Sequence, residues 1–143
     1  MENSRANDEY GVEYTATLVV TKEDIDDIMS AAIESGGIAY WCDSALPRGE
    51  RLGEYAIEQI SLGGKLELHL TEGPIEDGGS EAYLLDREMV LKGISKYLSN
   101  PANDCSGILF HNGIRMELDI GDVDAEIADM IIQYALFDEL VFG

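Results

Sequence analysis

Basic residues are scarce in this chain of 143 residues. It has 9 Lys and Arg against 29 Asp and Glu, which gives a formal net charge of −20. A surface that binds phosphates needs clustered Lys and Arg, and an anionic membrane repels such an acidic chain. The composition therefore argues against nucleic-acid binding and against membrane binding. It favours basic protein surfaces or cations as partners, although a high charge is also a simple means of keeping a small protein dispersed.

The chain also has few cysteines and no long apolar segment. Its two cysteines are Cys42 and Cys105, and a chain without an export signal keeps such thiols reduced. Residues 1–10 are polar and do not resemble a signal peptide, and no later segment reaches the ~18 apolar residues of a membrane span. We therefore predict a cytoplasmic protein.

Motifs that fix a reaction or hold a cofactor are missing as well. The glycine patterns of phosphate-binding and dinucleotide-binding loops do not occur. The cysteines and histidines lack zinc-ligand spacing, and the acids of residues 119–126 do not fit a calcium-binding loop. Cys42 with His69 or His111 would make a thiol–imidazole pair, but a lone cysteine in an aromatic segment is more often a core residue. We predict no metal, no cofactor and no catalytic residue.

Three helices are predicted from capping residues and apolar periodicity. Their ranges and N-caps are residues 22–36 after Thr21, residues 87–99 after Asp86, and residues 123–137 after Asp122. The first helix has the strongest signals, because Thr21 and Asp24 match a capping box. Gly36-Gly37 supplies a glycine where that helix should end.

Strands are predicted where β-branched and aromatic residues concentrate or alternate with polar ones. These segments are residues 12–20, 38–42, 65–70, 81–85, 108–110 and 114–118. Residues 43–53 are predicted to form a loop. Residues 55–62 and 65–70 are predicted to form a hairpin around Gly63-Gly64, although 55–62 also fit a short helix, and residues 108–110 and 114–118 are predicted to form a second hairpin. Residues 140–142 fit an edge strand or a segment tucked into the core. The whole pattern predicts a flexible lead-in at residues 1–11 and a single compact α+β domain at residues 12–143, with an antiparallel-rich sheet and about three helices.

Several acids on predicted strands have no evident local role. Acids at helix starts are explained by the helix dipole, whereas carboxylates are disfavoured on strands. Glu117 and Asp119 are two positions apart and would project from one face, and Glu67 would join them if the two hairpins are neighbours. We predict that Glu67, Glu117 and Asp119 form an acidic surface that mimics a line of phosphates for a basic partner.

Aromatic and polar residues suggest a second kind of site. The pocket residues in this hypothesis are Trp41, Tyr55, Gln59 and Tyr134, with Arg48, Arg51 and Arg115 at the rim. Rings of this kind stack on a nucleobase, and guanidinium groups clamp phosphates. The ligand would be a nucleotide second messenger. The alternative is an ordinary core, because aromatic residues dominate protein interiors.

Three segments resemble a family of short, uncharacterised proteins from phages, prophages and mobile elements of Gram-positive bacteria. They are DIDDIMSAAIESGGIAYWC at 24–42, GEYAIEQISLGGKLELH at 53–69 and ADMIIQYALFDELVFG at 128–143. The resemblance implies an accessory gene, and such genes often encode small proteins that block host defence. It carries no catalytic residue.

Together these observations predict a non-enzymatic counter-defence protein of the host bacterial cytosol. Its acidic surface would bind and inhibit a basic defence protein. The first alternative is a protein that sequesters a nucleotide immune signal in the aromatic pocket, and the second is an enzyme without a recognisable motif. Self-association stays open. Salt discriminates the first two readings, because charge mimicry weakens with ionic strength more steeply than binding in an enclosed pocket.

Overall fold

The computed structural model describes residues 8–13, 17–71, 82–103, 109–112, 115–119, 121 and 123–143. The strands of the described residues are β1 (Thr17–Val19), β2 (Cys42–Arg48), β3 (Lys65–Leu70), β4 (Ala82–Leu85), β5 (Leu109–Asn112) and β6 (Arg115–Leu118). The helices are α1 (Lys22–Met29), α2 (Glu58–Ser61), α3 (Arg87–Ser99) and α4 (Ala125–Phe137). The predicted α+β class is confirmed. No helix of these residues is long and apolar enough to cross a bilayer.

Side-chain caps start the three longer helices. Thr21 and Asp24 form the predicted capping box, in which each backbone N–H donates to the other's side chain at 3.0 and 3.1 Å. A π-helical turn, Ser30–Glu34, continues α1. Asp86 caps α3 through the amide of Met89, as predicted. The cap of α4 is Asp124 rather than Asp122, which lies outside the described residues.

The strands form two three-stranded sheets. One has the order β2-β3-β4 and is antiparallel, whereas the other has the order β1-β6-β5, with β1 parallel to β6 and β5 antiparallel to it. The alternation predicted for β3 is confirmed, because Leu66, Leu68 and Leu70 are fully buried on one face. Residues 1–7 of the predicted lead-in and residues 14–16 of the predicted first strand lie outside the described residues.

The segment at residues 37–48 differs from its prediction. Residues 37–41 form a turn, in which the amides of Trp41 and Cys42 donate to the carbonyl of Ile38 at 3.0 and 2.9 Å. The strand begins at Cys42 and occupies the predicted loop. Pro47 lies within it, which is tolerated because β2 is at the edge of the sheet that the described strands form.

Residues 55–62 adopt the helical alternative. The Glu58 carboxylate accepts the amides of Glu54 and Tyr55, so it holds the turn that precedes α2, whose N-cap residue, Ile57, makes no side-chain cap. Residues 140–142 form no strand, and Phe142 packs against the core instead.

The core is centred on the packing of α4 against α3 and includes buried residues of both sheets. Gly93 of α3 touches α4 so closely that an added Cβ would collide with the carbonyl oxygen of Ile131. The centre of α4 is almost wholly buried, including two polar residues, Asp129 and Gln133, which are 7% and 1% exposed. Most buried polar groups in proteins are hydrogen-bonded, so we expect these two side chains to belong to a hydrogen-bond network.

Candidate functional site

Asp129 lies at the centre of a hydrogen-bonded cluster that we call the Asp129 cluster, formed by Tyr40, Trp41, Asp129 and Gln133. The Trp41 indole Nε1 donates to Asp129 Oδ1 at 2.7 Å. The Tyr40 hydroxyl donates to Oδ2 at 2.7 Å, and Gln133 Nε2 donates to Oδ1 at 3.0 Å. Short bonds to a carboxylate are the stronger kind, so the cluster holds the 37–41 turn against α4.

Gln133 extends the cluster to the last residues of the chain. Its Oε1 accepts the amides of Val141 and Phe142, each at 2.8 Å, and its Nε2 lies 3.3 Å from the carbonyl oxygen of Phe142. Phe142 then stacks on Trp41, with ring centroids 5.2 Å apart and planes inclined by 9°. The side-chain amide thus pairs with backbone groups of residues 141–142, as a neighbouring strand would in a sheet.

Two local features bring the cluster together. Asp129 and Gln133 are four positions apart, so they lie on one face of α4. Gly37 lets the preceding turn approach that helix, because an added Cβ would stand 2.5 Å from the carbonyl oxygen of Ala125. A side chain at position 37 would therefore force the turn or the start of α4 to shift.

The Asp129 cluster holds a buried negative charge with neutral donors. None of the cationic side chains that the structure describes forms an ion pair with Asp129. Desolvation, followed by the hydrogen bond to Asp129, raises the pKa of Tyr40 to about 12, so this hydroxyl stays a donor at neutral pH. Buried charges usually have a charged partner, which makes the cluster chemically unusual.

A cavity of about 320 Å³ opens beside the cluster, between α4 and the last residues of the chain. Its lining includes Tyr40, Glu126, Asp129, Met130, Leu140 and Phe142. Glu126 is exposed at the start of α4, and Tyr40 and Leu140 are 55% and 44% exposed. The cavity therefore combines two carboxylates with aromatic and aliphatic walls.

A larger groove, about 580 Å³, lies between α3 and the sheet of β1 and β6. It is lined mainly by apolar side chains: Leu18, Val20, Leu91, Ile94, Leu98 and Met116. Among the described residues, no charged side chain lines this groove. Its chemistry would suit an apolar occupant.

The predicted acidic surface is divided between the two sheets. Glu117 lies on β6, and Asp119 directly follows that strand. Glu67 lies on β3, which pairs with β2 and β4, so strand pairing does not place it beside Glu117. Glu67 instead faces Arg48 across the β2–β3 pair, with Oε2 and Nη1 3.5 Å apart.

The structure does not bring the four predicted pocket residues together. Trp41 belongs to the Asp129 cluster and is 1% exposed. Tyr134 is buried and its hydroxyl accepts a hydrogen bond from Asn100 Nδ2 at 3.0 Å. Gln59 is fully buried, where it bonds the amide of Leu52 and the carbonyl of Glu50. Tyr55 is 57% exposed, and none of the four lines either cavity described above.

The arginines of the predicted rim have separate surroundings. Arg48 pairs with Glu67, and Arg51 donates to the backbone carbonyl of Glu54. Arg115 begins β6, on the other sheet, and its side chain lies outside what the structure describes. The two described guanidinium groups thus serve contacts within the chain.

Cys42 lies in a position that suppresses thiolate formation. Burial is the main cause that raises the pKa of its thiol, which donates to the carbonyl of Ser44 at 3.3 Å. In the described part of the chain, no group of three or more His, Cys, Asp and Glu residues is arranged to hold a metal ion. Cys105 and the His111 side chain lie outside it.

No protein-family profile matches this chain, and neither a curated protein nor a solved structure matches it significantly. The functional proposal therefore rests on the composition and structure of the chain and on the resemblance of its three segments.

The sequence-based predictions included Trp41 but missed Asp129 and Gln133 as a functional cluster. Their signal was present: they are the two polar residues within an otherwise apolar stretch, residues 127–137. Polar residues four apart on the buried face of a helix indicate a satisfied polar network or a site.

Proposed function

We propose that this protein is a non-enzymatic inhibitor that binds a basic surface of another protein. The observation that carries the proposal is the excess of carboxylates, because 9 cations cannot neutralise 29 acids. Such a surface accelerates encounter with a cationic partner and sets its orientation.

Most of the cationic side chains that the structure describes are also engaged within the chain. Lys22 and Arg48 pair with carboxylates, and Lys92 and Lys96 both contact Asp138, at 2.8 and 3.2 Å. Arg87 donates to the carbonyl of Ser61 at 3.0 Å. Positive groups held in this way leave the outward-facing charge overwhelmingly negative, which supports a basic partner and disfavours nucleic acid.

We place the partner among host defence proteins that handle nucleic acid. The phage-like resemblance of three segments motivates the defence setting, and a basic nucleic-acid channel is the surface that an acidic domain would occupy. The proposed contact face centres on Glu117 and Asp119, which lie two positions apart at the end of β6. Glu67 on β3 belongs to the acidic exterior but not to this strand.

The first experiment identifies the target in cells. The protein is expressed in bacteria that each carry one defence system, and phage plating is scored with and without it. We expect restored plating with a system whose effector has a basic nucleic-acid channel. Unchanged plating across all such systems would contradict the counter-defence role.

The second experiment tests the surface with the purified effector. A Glu117→Lys/Asp119→Lys variant is compared with Glu9→Lys/Glu13→Lys, which changes the net charge equally in the exposed 8–13 segment. We expect the first pair to weaken binding at least about tenfold, because it reverses charges at the contact, and the second pair to have a much smaller effect. Equal effects of the two variants would show that net charge alone matters and would overturn the assigned face.

A further inference from the structure

We propose that the cavity beside the Asp129 cluster receives an arginine side chain of the partner protein. The inference rests on the proposed function, since it names the part of a basic partner that the chain would bind. The base of this site is Asp129, its walls are Tyr40, Leu140 and Phe142, and its rim carries Glu126.

The charge of Asp129 is the first reason to expect a guanidinium in the cavity. A carboxylate has about four acceptor positions. Among the residues that the structure describes, three donors contact Asp129: Trp41 and Gln133 at Oδ1 and Tyr40 at Oδ2. Oδ2 thus has one acceptor position that no described group fills, and all three donors are neutral. A guanidinium in the cavity would supply both the missing hydrogen bond and the missing positive charge.

The aromatic and aliphatic walls of the cavity are the second reason to expect an arginine side chain there. Guanidinium groups are planar and weakly hydrated, and they stack on aromatic rings, which a compact ammonium group does less well. The exposed ring of Tyr40 and the half-buried ring of Phe142 both line the cavity, and Leu140 and Met130 suit the aliphatic stem. A volume of about 320 Å³ is at the lower end for ligand pockets, which fits one long side chain.

The carboxylate at the rim of the cavity is the third reason to expect a cationic side chain there. Glu126 is exposed on the first turn of α4, three positions before Asp129, so both carboxylates lie on the side of the helix that borders the cavity. Their combined field would attract a cationic side chain and repel an anionic one. An interface anchored by an arginine in a pocket is also the common arrangement of binding hot spots.

The test uses a peptide probe and the chain's single tryptophan. Uniformly ¹⁵N-labelled protein gives one indole N–H resonance, that of Trp41, which bonds directly to Asp129. Acetyl-Gly-Arg-Gly-amide is titrated while this resonance is followed. We expect a saturable shift with a dissociation constant on the order of 1 mM, as one charged side chain provides. The same peptide with citrulline keeps the shape without the charge and should give no saturable shift.

Variants separate a site from a general charge effect. Glu126→Gln should weaken arginine-peptide binding by about twofold to fivefold, as expected for a partly exposed charge, and Asp129→Asn by more than tenfold. Glu34→Gln removes an exposed acid at the end of the π-helical turn and should leave binding unchanged. Should Asp129→Asn fail to fold, Glu126→Gln and Leu140→Ala still test the cavity, and each should weaken binding.

Three results would overturn this inference. They are equal shifts with the arginine and citrulline peptides, binding of a lysine peptide as tight as that of the arginine peptide, or equal effects of Glu126→Gln and Glu34→Gln. The two proposals fail separately. A partner bound without any effect of the Glu126 and Leu140 variants would remove the arginine site alone, whereas saturable peptide binding without restored phage plating would remove the counter-defence role alone.

Discussion

Replacing Gln133 by methionine should loosen the last residues of the chain while leaving the fold in place. Methionine keeps most of the volume and the flexibility of glutamine, so little packing is lost. It removes the three short hydrogen bonds that join Gln133 to Val141, Phe142 and Asp129. The substitution therefore isolates the polar role of this side chain.

The expected cost follows from these bonds. At a net ~1 kcal/mol for each of the three, the free energy of unfolding should fall by about 3 kcal/mol. A domain of this size has roughly 5–15 kcal/mol of stability, so the variant should still fold. Chemical denaturation followed by Trp41 fluorescence measures the change, and hydrogen exchange measures the protection of the Val141 and Phe142 amides.

A matched variant, Gln133→Glu, separates the two sides of the amide. Its carboxylate can still accept from Val141 and Phe142, but it faces the Asp129 carboxylate without the Nε2 donor. At neutral pH we expect destabilisation by charge repulsion, and recovery as acidification lets the two carboxylates share a proton. The role of Gln133 would be refuted if Gln133→Met changed neither the unfolding free energy nor the exchange of the two amides.

Three further predictions concern packing, capping and pH. Gly93→Ala should lower the unfolding free energy by about 1–3 kcal/mol, because the new Cβ meets the Ile131 carbonyl and overpacking outweighs the gain in helix propensity. Asp124→Ala should cost about 0.5–2 kcal/mol, since the Ile127 amide loses its cap. Tyr40 has its pKa raised to about 12 in the folded state, so its stabilisation is complete below pH 10 and is lost as pH rises through 12; Tyr40→Phe should lack this loss.

Each of these has a simple check. Gly11→Ala, with nothing within 4 Å of the added Cβ, is the control for Gly93→Ala and should leave the denaturation midpoint unchanged. Equal stability of Gly93→Ala and wild type would show that α3 and α4 can separate freely. An Asp124→Ala variant as stable as wild type would show that the cap contributes nothing. Parallel stability curves of wild type and Tyr40→Phe between pH 10 and 12 would contradict the Tyr40 assignment.

The sequence predicted those helices and strands that depend on interactions between residues close together in the chain. The capping box at Thr21, the cap at Asp86 and the alternation of Leu66, Leu68 and Leu70 each act within a few residues. Such features are independent of how the chain folds back on itself, so α1, α3 and β3 begin at their predicted residues.

The 37–41 segment was misjudged because its cause is distant. An apolar, aromatic run is typical of a strand, but Tyr40 and Trp41 bond to Asp129, 89 and 88 positions away. The close approach of Gly37 to Ala125 is likewise a tertiary contact. No pattern within the segment contains these partners, so a strand was the better local prediction.

The division into two sheets was also not predicted, because it depends on pairing between segments that are distant in the sequence. β1 pairs with β6, with Thr17 opposite Arg115, and a parallel pairing across so much of the chain leaves no local turn signal. Because of this division, strand pairing does not place Glu67 beside Glu117, although both lie on predicted strands. The acidic residues could therefore be predicted individually, but their grouping on a surface could not.

The central claim is that an acidic face binds a basic partner, and the salt dependence of association tests it most directly. The association rate with the effector identified by phage plating is measured from ~0.05 M to ~0.5 M salt, for wild type and for Glu117→Lys/Asp119→Lys. We predict that the wild-type rate falls at least about tenfold, and that the variant associates more slowly at low salt with a much flatter dependence. A wild-type rate that is independent of salt, or a variant that associates as fast as wild type, would contradict the account.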